Sequence, residues 1–528
     1  MKTIKSLVLG SAAALLAMSG AQAADLPVKA KAVEYVKVCS LYGAGFFYIP
    51  GTDTCIKLGG YLRVDTTFNG GVYEAPAWSG DIGQGNRYRD YFSARSRMAL
   101  TVDTRTATEY GVVRTFGQAD FQFTTLGNNT YNPTTINQTS PVGSANLLDT
   151  PGGGYVAVEY VFIQFAGFTF GKSSSAYATP WNGYPGNNTS NLLGGNDSVT
   201  GVNNIQYTAQ FGNGVSGTIG LDDPTVFNRT AVTNLSIPIT STLGMTNDYA
   251  GTHAPDVVGN IRIDQAWGLF QVSGALHEVD GSYNLLQGSP GTPAATPGTT
   301  GLAGGSSVAG SELSGHPDTK WGGSVMAALQ IKNIPTGAGD DIKIDASWAK
   351  GDTKNVISTS GASPSFVMFG SSNRAYQSIG FGATTDGVWL PAANGGDGSI
   401  HLTEAFGVRG AFNHNWDPYW SSSLFGSYSA VRYDGTAKAN ICANFTGTKV
   451  VSADYSCNPD FNVSQLGVVT RWTPVKNLTF SAEVQWFHLD QKFTGTAVLG
   501  PTAPKPATAY EFKDQDTVAA SVRVQRNF

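Results

Sequence analysis

Catalysis needs a nucleophile within reach of a base, or metal ligands at set spacing. This chain offers little of either. Its six histidines, His253, His277, His316, His401, His414 and His488, stand in no H-E-x-x-H motif, and no G-x-S-x-G occurs. Four cysteines fall into two close pairs, and of the three possible connectivities the local one, Cys39 to Cys55 and Cys442 to Cys457, is expected. Each bridge would close a loop of about 17 residues, stabilising by roughly 3 kcal/mol in the chain-entropy model. A zinc site would want C-x-x-C-type spacing instead. No catalytic, cofactor-binding or metal site is therefore expected, and no cofactor. The residues that stand out are four arginines, Arg63, Arg95, Arg97 and Arg114, which recur among alternating polar positions. Their chemistry is electrostatic: they set the sign and field of whatever surface they line.

What positions them is a period of two. In IKLGGYLRVDTTF, Ile56, Leu58, Leu62, Val64 and Phe68 share one parity, and Lys57, Tyr61, Arg63, Asp65 and Thr67 the other. In YFSARSRMALTVDTR, Met98, Leu100 and Val102 oppose Arg95, Arg97, Thr101, Asp103 and Arg105. DIKIDASWAK and LTFSAEVQWFHL repeat the pattern near residues 341 and 478. Strands with one apolar and one polar face build either a sandwich with a dry core or a barrel with lipid outside and a polar lumen.

The connections choose between them. Sixteen candidate strands run from 56–68 to 515–528. Short gaps (Gly167, Asn213-Gly214, Trp267-Gly268, Trp416-Asp417-Pro418, Pro474 to Asn477) alternate with long ones (69–90, 124–155, 177–203, 224–256, 281–318, 354–399, 435–461, 494–514). A longer gap, Asn333 to Asp340, falls among the short ones. That alternation marks a 16-stranded antiparallel transmembrane β-barrel with short periplasmic turns and long external loops. The even count puts both termini on the periplasmic side. Trp267, Trp416, Tyr419, Trp420 and Trp472 flank proposed short turns, where interfacial aromatics belong. The stretch 288–311, GSPGTPAATPGTTGLAGGSSVAGS, is read as a mobile external loop, because it has too little apolar surface to fold alone.

Composition and targeting agree. MKTIKSLVLGSAAALLAMSGAQA carries two lysines, an apolar run and an A-x-A cleavage site, so residues 1–23 read as a signal peptide and 24–528 as the barrel. Only 13% of residues are charged, about half the usual quarter, and Gly numbers 65. The net charge of −5 argues against a nucleic-acid partner. The chain ends on SVRVQRNF, an alternating strand closed by Phe528. Such a terminal residue is similar to the signal read by the outer-membrane barrel assembly machinery.

VEYVKVCSLYGAGFFYIPGTDTCIKLGGYLRVD (33–65) and VFIQFAGFTFGKS (161–173) resemble the alphaproteobacterial, Rhizobiales-type general porins. The resemblance implies a homotrimer in outer-membrane lipid, passive diffusion of small hydrophilic solutes and ions, and a third external loop folded into the lumen. A substrate-specific channel, for sugars for example, is the alternative.

On that reading Arg63, Arg95, Arg97 and Arg114 form a pore-lining ladder near mid-height of three neighbouring strands, because a lipid-facing arginine at mid-depth costs about 2–4 kcal/mol. Asp65 and Asp103 are their candidate partners. The third loop, SAYATPWNGYPGNNTSNLLGGNDSVTGVN (175–203), holds one acid, Asp197, rather than several carboxylates. Its Tyr177, Trp181 and Tyr184 would narrow the pore sterically. The inward parity elsewhere holds Arg262, Asp264, Asp345, Arg409, Glu483 and Arg523, so both signs are present.

Overall fold

The structure is a computed structural model. It describes residues 37–71, 91–124, 154–181, 183–196, 200–226, 228–236, 247–284, 312–357, 366–446, 449–501 and 505–528. The signal peptide, the stretch 288–311 and Asp197 lie outside the described residues. Two compact units are present, residues 1–56 and 57–528.

In the first unit a short hairpin pairs Phe47 with Ile56 and Tyr48 with Cys55. The Cys39–Cys55 disulfide sits beside Phe46 in a small core against Tyr42 and Tyr48.

The second unit is built on sixteen strands joined in sequence order: β1 (Thr54–Phe68), β2 (Phe92–Thr108), β3 (Gly111–Thr124), β4 (Tyr155–Phe165), β5 (Phe168–Ser173), β6 (Val202–Gly212), β7 (Val215–Asp222), β8 (Asp256–Gln265), β9 (Gly268–Val279), β10 (Lys320–Lys332), β11 (Asp341–Lys350), β12 (Glu404–Asn415), β13 (Trp420–Arg432), β14 (Phe461–Val475), β15 (Leu478–Gln491) and β16 (Gln515–Asn527). Neighbours pair antiparallel, and β16 returns to β1 with Val524 opposite Val64 and Arg523 opposite Asp65. The sheet is a closed barrel without an open edge. Asn213 and Gly214 both adopt positive φ, 49° and 72°, the tight-turn geometry that suits a two-residue hairpin.

The parity reading holds. Leu58, Leu62, Val64, Met98, Leu100, Ile163, Ile219, Ile261, Ile344, Val484 and Val522 are exposed on the outer face, while Asp65, Arg95, Asp120, Asp345, Arg409 and Glu483 are buried inside. Trp267, Trp416, Tyr419, Trp420 and Trp472 are exposed at the short-turn rim, and Trp420 stacks on Trp472 at 5.9 Å. Trp321, Trp348 and Trp486 are exposed near the other rim, so aromatic residues mark both interfaces.

The long connections are more structured than their composition suggests. Phe366–Gly370, Gln377–Gly382, Thr508–Phe512 and Thr496–Leu499 form a four-stranded sheet, and a helix spans Gly435–Thr446. These pieces of the sixth, seventh and eighth external loops share one core with Phe366, Phe381, Ile441, Phe445, Phe493 and Phe512. It continues onto inward-facing Phe461 and Val463 of β14 and Phe487 and Leu489 of β15. The Cys442–Cys457 disulfide ties the helix to the end of the seventh loop. Asp386, fully buried, accepts hydrogen bonds from Thr230 N (2.9 Å), Thr353 N (2.7 Å) and the Tyr249 hydroxyl (2.9 Å), joining the fourth and sixth loops.

Candidate functional site

A barrel of sixteen strands leaves a lumen, and its function is set by what narrows it. Here that is the third loop, between β5 and β6. It lies along the inner wall of β8 to β15, held by side chains that project from those strands. Asn260 donates to Ala176 O (2.6 Å) and Gln271 to Ala178 O (2.8 Å). Asn413 donates to Pro185 O (3.0 Å), and Arg471 to Gly186 O. The Glu483 carboxylate accepts from Asn188 N (2.5 Å) and Thr189 N (2.9 Å). Gln465 both accepts from Leu193 N (2.9 Å) and donates to Asn191 O (2.9 Å). A loop carrying so many main-chain polar groups can be buried only if partners meet them, and these side chains are the partners.

Apolar contacts fix the same loop. Ala176 and Tyr177 pack on inward-facing Val258, Ala275 and Met326, and Leu192 with Tyr184 packs on Ala411, Phe425 and Val469. At the deepest contact the loop backbone rests on the wall itself. Gly194 has φ +102°, and a Cβ on Gly407 would stand 2.7 Å from the Gly194 Cα. Glycine on both sides is what that approach requires.

This arrangement corrects several expectations. Asp345 and Arg409 form a fully buried pair (3.0 Å) beneath the loop, and Arg409 also donates to Asn196 O (2.9 Å). These two and Glu483 therefore anchor the loop rather than line open water. Tyr177 is buried behind the loop and does not project into the lumen. Tyr184 donates to Ser190 O (2.7 Å) within the loop. Trp181 is half-buried.

The wall from β16 through β4 carries the arginines. Arg95 bridges Asp65 at 2.6 Å, and Arg523 bridges the other Asp65 oxygen. Arg97 meets Asp120 at 2.6 Å and Glu159 at 3.6 Å. Arg114 and Arg105 both reach Asp103 at 3.0 Å. Arg63 donates to Gln525 (2.8 Å) and lies 4.5 Å from the Tyr61 ring centre. The arginines face inward, but they are not one ladder at mid-height. Arg95 and Arg97 stand near the long-loop end of β2, and Arg114 pairs with Arg105 three residues from the Thr108–Gly111 turn. The two strands run antiparallel from one tight turn, so a residue near the start of β2 and one near the start of β3 stand at opposite ends of the hairpin. Among the described residues of this wall, Arg63, Arg95, Arg97, Arg105, Arg114 and Arg523 outnumber Asp65, Asp103, Asp120 and Glu159, so cations are in excess. Arg105, Asp120 and Glu159 were absent from the expected pore-lining set; Arg105 shares the inward parity, which could have found it, whereas Glu159 sits at a β-bulge opposite Gln118 and Ala119 that alternation hides.

The chain matches the model of the porin subfamily over residues 25–521. It is 36% identical to "Porin Omp2b" of Brucella abortus (strain 2308) over 268 residues, which is 50% of this chain and 63% of the relative. The corresponding Brucella melitensis protein is 35% identical over the same share. The chain thus spans less than two thirds of these relatives' length. In fold it is similar to the outer membrane channel DcaP of Acinetobacter baumannii, with a TM-score of 0.53, 16% identity, and 91% of this chain and 99% of that chain covered. With the closed sixteen-strand barrel and its apolar outer face, these matches give the conclusion: the chain belongs to the porin subfamily, in the alphaproteobacterial line the sequence resembles, and is a β-barrel protein of the bacterial outer membrane.

Proposed function

We propose that this protein is a water-filled channel for passive diffusion of small hydrophilic solutes and ions across the outer membrane, with no catalytic step. The observation that carries the reading is the third loop, pinned by main-chain hydrogen bonds to β8–β15 while the β16–β4 wall keeps a charged inner face. An opening bounded by fixed charges and a fixed loop selects by size and field. Arg63, Arg95, Arg97 and Arg114 are the proposed pore-lining cations. Asp65 orients Arg95 and Asp103 orients Arg114, and both carboxylates lower the cost of crowding like charges.

The working form is a homotrimer in outer-membrane lipid, exported by the signal peptide 1–23 and inserted by the barrel assembly machinery through the strand that ends in Phe528. Family membership supports these points. The test is conductance of the purified protein in a planar lipid bilayer. Ohmic steps arriving in threes are expected. Folded, membrane-inserted protein that passes no current would overturn the channel reading, and single unequal steps would overturn the trimer.

A further inference from the structure

Inward-facing apolar residues are an expense in a watery lumen, and most of those in this barrel are covered. Val258 and Met326 lie under the third loop, as do Phe425 and Val469; Phe461 and Phe487 lie under the loop core. Phe116 on β3 and Phe162 on β4 belong to none of those packed clusters. They share the inward parity of Arg114 and Gln164, and both are half-buried. Their rings stack at 5.3 Å between centres, and Tyr160 meets Phe116 edge-on at 6.3 Å. Together they form the aromatic floor of a cavity of about 370 Å³, within the range of small-molecule sites, ~300–1,000 Å³, with the Arg114 guanidinium against one side of the pair, 5.2 Å from the Phe116 ring centre and 5.5 Å from that of Phe162.

The rim of that cavity is polar and uncharged: Gln118, Gln164, Thr169, Ser173, Ser174 and Gln206. The nearest cation, Arg114, is already bonded to Asp103 and to Gln164 (2.9 Å). One amide atom of Gln206, Oε1, is buried without a hydrogen-bond partner.

We propose that this cavity is a binding platform for a neutral pyranose sugar. A sugar ring has an apolar C–H face, which matches the Phe116–Phe162 surface, and a rim of hydroxyls, which matches the amides. The rim amides of Gln118, Gln164 and Gln206 are the groups that would meet the sugar hydroxyls. A charged solute is matched less well, because no unspent charge of either sign rims the floor. The inference rests on the channel reading and gives it a saturable step for one class of solute.

Two measurements test it together. Maltose is titrated against the ion current of the reconstituted protein, and against the detergent-solubilised protein by calorimetry. The open-chain polyol sorbitol is the control, having hydroxyls but no ring face. Maltose is expected to bind and to block part of the current in the millimolar range, and sorbitol to do neither. Phe162→Ala should weaken maltose block about tenfold, and Gln206→Leu should weaken it too, while salt conductance persists in both. Phe170→Ala, on the lipid-facing side of β5, should change nothing. No calorimetric binding and no block of a conducting channel would overturn the sugar site and leave the channel reading intact. Equal binding of sorbitol would also overturn it. Absence of salt current would sink the channel reading instead, and calorimetry would still decide the site.

Discussion

Gly407 is the residue on which the third loop rests, and a side chain there has nowhere to go. Gly407→Val should lift the loop from the wall while leaving the strand's hydrogen bonds intact. The expected outcome is a barrel that still resists unfolding by detergent but conducts more current with more open-channel noise; unchanged single-channel records would contradict it. Arg409 and Arg63 make a contrasting pair. Arg409→Met removes the guanidinium from a fully buried ion pair with Asp345 and from the Asn196 carbonyl, and a loss of about 3–5 kcal/mol is expected in urea unfolding from lipid vesicles. Arg63→Ala breaks one bond to Gln525 at a half-buried position, and stability should fall by less than about 1 kcal/mol. Its effect belongs to selectivity: the reversal potential in a salt gradient should move toward cation preference. The sequence shows all these side chains facing inward, because parity carries that. It does not show which of them are consumed by the loop, since their partners are carbonyls and amides, which every residue has.

At the scale of elements, the external loops are held by local chemistry that can be titrated. Asp434 caps the helix Gly435–Thr446, accepting from Ala437 N at 2.8 Å, and its other oxygen meets His401 Nδ1 at 2.8 Å. His401 Nε2 meets Asp397 at 3.0 Å. Burial acts to lower the His401 pKa, but the hydrogen bonds to Asp434 and Asp397 outweigh it and raise the value above 6.5. A raised folded-state pKa means the imidazolium's contribution is complete below about pH 6.5 and disappears as pH rises through the folded value. Hydrogen exchange at the start of this helix should accordingly quicken as pH climbs through that window, beyond the intrinsic rate change; in His401→Gln the extra dependence should vanish. Asp434→Ala should cost the helix about 1 kcal/mol. Opening the Cys442–Cys457 bridge with the double Ser variant should expose the seventh loop to protease without loosening the barrel, whose closure at β1–β16 does not involve it. Much of this layer was not legible. FVMFG and SIGFG, within stretches bounded by glycines, are too short to separate from loop by periodicity. They become strands because they pair with each other, the second also pairs with 508–512, and Phe366 packs on Phe461 and Phe487.

At the scale of the molecule, sixteen strands were legible because lipid and lumen enforce opposite polarities on alternate residues. The residues that break the rule turn out to be informative. Val258, Met326, Phe425 and Val469 look like errors in a polar face, and each lies where the third loop docks. The separation of Arg95 and Arg114 was legible by counting back from the Thr108–Gly111 turn, which sets Arg114 opposite Arg105 and Arg95 opposite Thr124, at opposite ends of one hairpin. The excess of cations on the β16–β4 wall predicts a modest preference for anions, read as the sign of the reversal potential and weakened at high salt by screening. The most direct test compares single-channel currents of the whole protein and of a variant with residues 186–195 excised. An ohmic channel whose conductance rises clearly when that segment is removed is the predicted result. Equal conductance in the two, with both folded and inserted, would contradict a lumen narrowed by its third loop.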